Sequence, residues 1–293
     1  MTDHYALFGL PLRFSLSPAI HGAAFHAMGL DADYVLRPTS AAELPAALEE
    51  LRAGTLAGAN VTVPHKRAAL ELADSAGEPA LGLGVANTLL RGAEGGLRAE
   101  NTDPAGFAAQ LSALGLEEGA GRRALVLGAG GAARAVALAL LEHGYAVTVA
   151  ARSSAQSAVL ASTLNRLRRG ADLSTTLLQP RGLATDLASA DLLVNTTPLG
   201  AAGHPVSGPL PEGLSLGGRL AAVVDIVAWP LETALVRRAR AEGRLAAGGL
   251  DMLLGQAAAS FRLWTGREAP REAMRQAALE AAARQAAVEA GSR

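Results

Sequence analysis

Short apolar runs alternate along this chain with longer segments whose apolar residues recur at helical spacing. The apolar runs that predict strands lie at 5–9, 33–37, 58–63, 124–128, 146–150, 191–194 and 220–227. Helical spacing predicts helices at 43–52, 231–242 and 250–264, with an Ala/Glu/Arg-rich helix from about 270. Strands that alternate with helices indicate a mostly parallel α/β sheet, which binds ligands beyond the carboxyl ends of its strands.

Two serines stand directly after the first predicted strand, in Ser15-Leu16-Ser17-Pro18. We expect Ser17 to cap a helix that has Pro18 in its first position, which leaves Ser15 without a capping role. Both hydroxyls would then face a loop beside free helix N–H groups, which suits an anionic or polyhydroxylated ligand. An ordinary serine-capped helix start is the alternative.

Polar residues also follow the third predicted strand, where Asn60, Thr62 and Lys66 fall at its carboxyl end. Lys66 is the only lysine among 26 basic residues, and the rest are arginines. Arginine does not lose its proton in proteins, whereas a lysine ammonium can act as an acid or a base. The lone lysine therefore indicates a site that needs a removable proton, with a surface lysine as the alternative. Asp103 opens a later helix, and a capping role alone would explain it.

The segment Gly128-Ala129-Gly130-Gly131-Ala132-Ala133 fits the dinucleotide pattern Gly-x-Gly-x-x-Ala, with a buried strand before it and an Ala-rich helix after it. The next strand runs into Arg152 and Ser153, where an NAD-binding protein would place a carboxylate for the ribose 2′-hydroxyl. Arginine and serine without a carboxylate suit a 2′-phosphate, so the sequence favours NADP over NAD. A solvated loop arginine is the alternative for Arg152.

Composition narrows the class of function. The length of 293 residues predicts two domains, and a formal charge of -1 argues against a non-specific nucleic-acid binder. The absence of cysteine excludes disulfides, thiolate nucleophiles and Cys-type zinc sites, and we expect no metal. No targeting segment or run of membrane-spanning length is evident. We expect a cytoplasmic protein that acts on small molecules, without a nucleic-acid or membrane partner.

Taken together, several motifs resemble the shikimate dehydrogenase family in order and spacing, over residues 5–280. They are Ser15–Pro18, Asn60–Lys66, Ala86–Thr88, Asn101–Asp103, Gly128–Arg134, Asn195–Gly200, Asp225–Val227, Pro230–Thr233, and Gln256 with Trp264–Gly266. This set of motifs is far more specific than the glycine loop alone.

The resemblance implies two α/β domains, a substrate domain with a mostly parallel sheet and a Rossmann-like dinucleotide-binding domain, with C-terminal helices returning to the first. The implied divisions are 1–103 for substrate, 104–248 for NADP and 249–293 for the returning helices. It further implies NADPH-dependent reduction of 3-dehydroshikimate to shikimate, in aromatic amino-acid biosynthesis, by a monomer or homodimer.

Site residues follow from the resemblance by position. Lys66 and Asp103 are similar to the family's catalytic pair. The implied substrate ligands are Ser15 and Ser17 for the carboxylate, and Asn60, Thr62, Asn87, Asp103 and Gln256 for the hydroxyls. The implied cofactor residues are Gly128, Ala129, Gly130, Gly131, Ala132, Arg152, Ser153, Thr197, Ile226 and Gly249.

The sequence departs from the family pattern in three places. Ala228 stands where a substrate-contacting tyrosine is usual, Pro104 where glycine is common, and Ala151 and Gln156 where the cofactor loop usually has asparagine and a second basic residue. Ala228 keeps open a quinate/shikimate dehydrogenase, or a relative acting on another cyclic hydroxy acid. A methylenetetrahydrofolate dehydrogenase fits poorly, because the paired serines and Asn-Thr-Asp do not suit it. A non-catalytic shikimate or NADP sensor would not need both Lys66 and Asp103.

Overall fold

The computed structural model describes residues 2–12, 14–92, 95–211 and 213–291, without the side chains of residues 180 and 181. The chain divides into two compact units. Unit 1 comprises residues 1–102 with 254–293, and unit 2 comprises residues 103–253.

Unit 1 begins with alternating strands and helices. Its strands are β1 (Asp3–Gly9), β2 (Ala32–Pro38), β3 (Gly58–Val61), β4 (Ser75–Ala76), β5 (Thr88–Gly92) and β6 (Gly95–Glu100). Its helices are α1 (Ser17–Ala27), α2 (Leu44–Ala53), α3 (Lys66–Glu71), α4 (Glu78–Leu83), most of α10 (Leu250–Thr265), and α11 (Arg271–Gly291). In α2 the buried residues Leu44, Ala47, Leu48 and Leu51 follow the helical repeat, so one face of this helix packs on the sheet core.

The sheet of unit 1 has the order β2-β1-β3-β5-β6-β4 over the described residues. Strand β1 pairs in parallel with β2 and β3, whereas β5 runs antiparallel to both of its neighbours. The end of β3 therefore lies beside the beginning of β5 and the end of β6, with Asn60 opposite Thr88 and Thr88 opposite Glu100. Polar residues that are distant in sequence meet at this edge of the sheet.

An aromatic cluster joins α1 and the C-terminal helices to this sheet. The ring of Trp264 lies 4.8 Å from Tyr5 and 5.2 Å from His21, and its Nε1 donates a hydrogen bond to the Leu89 carbonyl at 3.0 Å. A Cβ on Gly58 would clash with the indole, so the close approach requires glycine there. Helix α11 packs on α1.

Unit 2 contains a second alternating series. Its strands are β7 (Arg123–Leu127), β8 (Ala146–Ala151), β9 (Leu173–Leu177), β10 (Leu192–Asn195), β11 (Ala222–Asp225) and β12 (Leu245–Ala247). Its helices are α5 (Asp103–Ala113), α6 (Gly131–Glu142), α7 (Ser154–Leu167), α8 (Pro180–Ser189), α9 (Ala234–Ala241) and the first turn of α10.

Every pairing in the sheet of unit 2, as far as the structure describes it, is parallel, in the order β12-β11-β10-β7-β8-β9. This is the strand order of a Rossmann fold, and the crevice for a dinucleotide lies where the order reverses, between β7 and β10. The predicted fold class is therefore confirmed: two α/β units, a Rossmann-like second unit, and C-terminal helices that belong to the first.

No helix in the part of the chain that the structure describes combines the length and apolar character needed to cross a membrane.

His21 is completely buried in the aromatic cluster of unit 1. Its ring stacks on Tyr34 with centroids 4.5 Å apart and planes inclined by 9°. Neither ring nitrogen has a hydrogen-bond partner among the described residues. Burial lowers the pKa of His21 to about 3, because the charged ring would lose its hydration. The imidazole is therefore neutral at neutral pH and packs as an apolar ring.

This histidine predicts acid sensitivity of the fold. The unfolded chain binds a proton at His21 below pH 6.5, whereas the folded chain does not until the pH approaches 3. The proton at His21 therefore does not affect the unfolding free energy above pH 6.5. As the pH falls from 6.5 towards 3, the unfolding free energy decreases by about 1.4 kcal/mol per pH unit. The unfolding free energy is measured in urea at pH 7.5 and at pH 5. Between these two pH values, the His21→Leu variant should lose about 2 kcal/mol less unfolding free energy than the wild type. The control is His26→Gln, since His26 is exposed, and it should keep the wild-type difference. An unchanged difference in His21→Leu would contradict the prediction.

Candidate active site

The site in unit 1 is built around the buried side chain of Asn60, in β3. Its Oδ1 accepts a hydrogen bond from the Tyr34 hydroxyl at 2.9 Å. Its Nδ2 lies 3.1 Å from each of three acceptors, the Asn87 carbonyl, Thr88 Oγ1 and Ser260 Oγ. Because a carbonyl can only accept, the contact with Asn87 fixes which end of the amide faces inward.

Asn87 continues this network towards β6 and α10. Its Oδ1 accepts from the Thr102 amide at 2.8 Å and from Thr88 Oγ1 at 2.9 Å. Its Nδ2 donates to Thr102 Oγ1 at 2.9 Å and to Gln256 Oε1 at 3.5 Å. One connected set of hydrogen bonds thus contains Asn60, Asn87 and Gln256, and it ends at the residue directly before Asp103 in the chain.

Lys66 begins α3, and hydrogen bonds fix the loop before it. The Thr62 amide donates to the Phe8 carbonyl at 2.9 Å, and the buried His65 Nε2 donates to the Thr39 carbonyl at 2.6 Å. The Lys66 carbonyl accepts from the Ala86 amide at 2.8 Å, which places its backbone beside the segment that carries Asn87. The Lys66 residue is half-buried, and Thr62 is half-buried in the same loop.

The roles expected of the two serines at α1 are reversed. The helix begins at Ser17, whose side chain makes no capping bond, and Ser15 Oγ accepts from the Ser17 amide at 3.2 Å. The expectation that Ser17 caps the helix was wrong, because the chain turns into the helix one residue earlier. The Ser17 hydroxyl instead hydrogen-bonds the phenol of Tyr34, whose pKa is raised by burial. Ser17 therefore joins the Asn60 network through Tyr34.

Sequence reasoning missed Tyr34 and Ser260 as members of this network. Ser260 lies within an apolar face of α10, and its only signal is a small polar residue among buried neighbours such as Ala257 and Phe261. Tyr34 carries no motif signal, since a tyrosine in a strand is ordinary. Its role depends on the pairing of β2, β1 and β3, which brings it beside Asn60.

In unit 2 the glycine loop connects β7 to α6. Gly128 has φ +110°, which favours glycine, and a Cβ there would approach Thr196 Oγ1 to 2.7 Å. A Cβ on Gly130 would meet no protein atom within 4 Å, so the start of α6 faces open space. Ala129, Gly131 and Ala132 are half-buried around it. An open helix start with free N–H groups, at the point where the strand order reverses, fits a dinucleotide pyrophosphate.

The loop after β10 faces the glycine loop across this crevice. Thr196 Oγ1 donates to the Leu127 carbonyl at 2.6 Å, which ties the loop to the end of β7. The Thr197 amide and hydroxyl both donate to Asn195 Oδ1, at 3.0 and 2.7 Å. Thr197 is half-buried, and its conformation is set by the completely buried Asn195.

The remaining predicted cofactor residues lie at strand ends of unit 2. Arg152 is exposed after β8, and Ser153 caps α7 by accepting from the Gln156 amide at 3.3 Å. Ile226 follows β11, and its amide donates to the Asn195 carbonyl at 3.0 Å. A Cβ on Gly249 would clash with the Ile226 carbonyl, so backbone packing alone explains that glycine. Capping and packing thus account for Ser153 and Gly249 in structural terms.

Asp103 is the first residue of α5 and is buried, at 5% exposure. Helix α5 packs against α6, the helix that follows the glycine loop.

Comparison with known proteins extends over nearly the whole chain. Residues 7–89 match the family model of the shikimate dehydrogenase substrate binding domain, and residues 249–279 match that of the shikimate 5'-dehydrogenase C-terminal domain. The shikimate dehydrogenase (NADP(+)) of Moorella thermoacetica is 41% identical over 284 residues, which are 96% of this chain and 94% of that protein. This chain belongs to the shikimate dehydrogenase family.

Solved structures of family members have the same fold. The shikimate 5-dehydrogenase of Thermus thermophilus, in complex with NADP(H) and shikimate, is similar with a TM-score of 0.82 and 38% identity, covering 95% of this chain and 99% of that one. A quinate dehydrogenase from Corynebacterium glutamicum, in complex with NAD, is similar with a TM-score of 0.84 and 33% identity, covering 95% and 99%. The fold therefore accommodates both activities.

The Asn60 network generates a stability prediction. Asn60→Ala removes one buried hydrogen bond from each of four groups, the Tyr34 hydroxyl, the Asn87 carbonyl and the hydroxyls of Thr88 and Ser260, and should lower the unfolding free energy by about 3 kcal/mol. Tyr34→Phe removes the bonds to Asn60 Oδ1 and to the Ser17 hydroxyl but leaves the Asn60 Nδ2 bonds in place, and should cost about 1.5 kcal/mol. Urea unfolding of both variants measures the difference. Equal losses would show that Asn60 does not hold the network together.

Proposed function

We propose that this chain is an NADP-dependent shikimate dehydrogenase that catalyses the reversible reduction of 3-dehydroshikimate to shikimate, in aromatic amino-acid biosynthesis. One observation carries the proposal. The segment containing Lys66, the segment containing Asn87 and the residue before Asp103 are joined by hydrogen bonds at one edge of the unit 1 sheet. The relatives named shikimate dehydrogenase (NADP(+)) support the same activity, since they match over nearly the full chain.

The substrate is a hydroxylated ring carrying a carboxylate, and the residues proposed to bind it suit both features. Ser15 and Ser17, at the start of α1, supply hydroxyls and helix N–H groups for the carboxylate. Asn60, Thr62, Asn87 and Gln256 supply donors and acceptors for the ring hydroxyls. The amides of Asn60 and Asn87 are also bonded to protein groups at both ends, which fixes their orientation.

Lys66 and Asp103 are the proposed proton-handling pair. Reduction of the 3-carbonyl places negative charge on its oxygen, and the Lys66 ammonium donates the proton that neutralises it. In the reverse direction the neutral amine accepts that proton from the hydroxyl. The Asp103 carboxylate is the proposed partner that orients this amine. Arginine could not replace Lys66, because a guanidinium does not release its proton at accessible pH.

The proposed cofactor site lies in unit 2, and NADPH, when bound, supplies the hydride for the reduction. The glycine loop, with Gly128, Ala129, Gly130, Gly131 and Ala132, would hold the pyrophosphate. The exposed Arg152 is placed after β8 to bind the 2′-phosphate, with Ser153 beside it. Thr197, Ile226 and Gly249 form the other proposed contacts, on the loops after β10 and β11 and before α10. We also propose the domain roles that the sequence predicts, a cytoplasmic location, and a monomer or homodimer.

Quinate is the second candidate substrate, and Ala228 is the observation that favours it. Ala228 lies half-buried in the loop after β11, where the family usually has a tyrosine that reaches the substrate. Alanine lacks the hydroxyl that would make this polar contact. It is also smaller than tyrosine, which leaves room for a different ring substituent. A quinate dehydrogenase with bound NAD is among the similar structures, at 33% identity.

The function is tested by initial rates of nicotinamide reduction with shikimate and quinate, each paired with NADP and NAD. We expect turnover to be fastest with shikimate and NADP. A preference for quinate would mean that Ala228 has changed the substrate, and a preference for NAD would exclude the 2′-phosphate role of Arg152. Binding of NADP without turnover in any pairing would support the non-catalytic sensor instead.

The role of Lys66 is tested by two substitutions. Lys66→Ala should lower kcat about 10²–10⁴-fold, the usual contribution of a general acid–base. Lys66→Arg should be nearly as damaging, because it keeps the charge without a removable proton. The matched control is Arg67→Lys, at the neighbouring, exposed position that pairs with Glu71, and it should retain wild-type kcat. An active Lys66→Arg enzyme would leave Lys66 with an electrostatic role only.

A further inference from the structure

Asp225 is a completely buried carboxylate at the end of β11. Its Oδ1 accepts from Asn195 Nδ2 at 2.8 Å and from the Val227 amide at 3.2 Å. Its Oδ2 accepts from Thr233 Oγ1 at 2.7 Å. Burial raises the pKa of Asp225, and these three donors act in the opposite direction. Burying a carboxylate costs free energy unless hydrogen bonds offset the loss of hydration, so the fold depends on these three bonds to Asp225.

The two oxygens serve different parts of unit 2. The Oδ2 atom holds Thr233, whose hydroxyl caps α9 by accepting from the Val236 amide at 3.3 Å. The Oδ1 atom holds two loops at the carboxyl edge of the sheet. It fixes the Val227 amide in the loop after β11, and it fixes the Asn195 side chain at the end of β10.

Asn195 transmits this constraint to Thr197. Its Oδ1 accepts from both the amide and the hydroxyl of Thr197, while its Nδ2 also donates to the Leu199 carbonyl at 3.2 Å. Its backbone carbonyl accepts from the Ile226 amide at 3.0 Å. The side chains of Asp225 and Asn195 therefore determine together how Thr197 and Ile226 are presented.

We propose that Asp225 is a positioning residue for the dinucleotide, which sets the two loops carrying Thr197 and Ile226 through Asn195 and the Val227 amide. The inference rests on one part of the proposed function, namely that Thr197 and Ile226 contact the cofactor. Asp225 touches no ligand itself, since its side chain has no exposed surface. It therefore affects cofactor affinity more than substrate affinity, because the proposed substrate ligands lie on other elements.

Three variants separate the two oxygens. Asp225→Ala removes both sets of bonds. Asp225→Asn keeps an Oδ1 acceptor for Asn195 and Val227, because its amide group can face Thr233, whose hydroxyl also accepts. Thr233→Val removes the bond to Oδ2 and the cap of α9, and leaves the Oδ1 bonds intact.

The measurements are the Kd of NADP⁺ by isothermal titration calorimetry on the full chain, the KM of shikimate, and unfolding in urea. We expect Asp225→Ala to raise the NADP⁺ Kd about tenfold, the effect of losing bonds to a charged group. The KM of shikimate should stay within about twofold, since its proposed ligands lie on other elements. Asp225→Asn should restore NADP⁺ binding to within about threefold of wild type. Thr233→Val should lower stability with the Kd unchanged.

A second variant covers the case in which Asp225→Ala does not fold. Asn195→Ala breaks the same connection from its other end, and should raise the NADP⁺ Kd selectively as well. The inference is overturned if the constants for NADP⁺ and shikimate weaken equally. It is also overturned if Thr233→Val weakens NADP⁺ binding as much as Asp225→Ala.

Failure of the proposed function would look different. A wild-type chain that binds NADP⁺ without turning over shikimate would refute the shikimate dehydrogenase assignment, while the calorimetric comparison of the variants would still decide the role of Asp225.

Discussion

A buried side-chain amide needs hydrogen bonds at both of its ends, and this requirement organises the functional edge of each unit. Asn60 and Asn87 in unit 1, and Asn195 in unit 2, are all nearly or completely buried. Each lies at or next to the end of a strand, and the side chain of each bonds to residues on other strands, loops or helices. An amide in this position leaves its loops few alternative conformations, because moving one loop would leave a buried donor or acceptor unpaired.

The two sheets bring their polar residues together in different ways. In unit 2 every described pairing is parallel, so loops that follow β7, β10 and β11 emerge at one edge. In unit 1 strand β5 is antiparallel to β3 and β6, so the same edge collects the end of β3, the beginning of β5 and the end of β6. Asn60, Asn87 and Thr102 meet there for that reason, although the sequence separates them by 27 and 15 residues.

Burial of ionisable groups distinguishes the two units. In unit 1 the buried His21 remains neutral, and its ring packs against the ring of Tyr34 within the aromatic cluster. In unit 2 the buried Asp225 is offset by three donors that belong to the loops and to α9. The neutral ring of His21 holds its neighbours in unit 1 by packing, whereas the carboxylate of Asp225 holds its neighbours in unit 2 by hydrogen bonding.

The sequence by itself determined the alternation of strands and helices, the Rossmann-like second unit and most of the candidate site residues. It could do so because apolar periodicity, glycine spacing and the lone Lys66 are local signals, readable from a few neighbouring residues. Tyr34 and Ser260 emerged only from the tertiary structure, and so did the role of Asp225, which the sequence offered only as part of a motif. Their roles depend on strand order and on which buried donors find an acceptor, and the sequence does not state which partners folding will bring together. The start of α1 shows the same limit at short range, because the bond from the Ser17 amide to Ser15 depends on a turn one residue earlier than the pattern predicts.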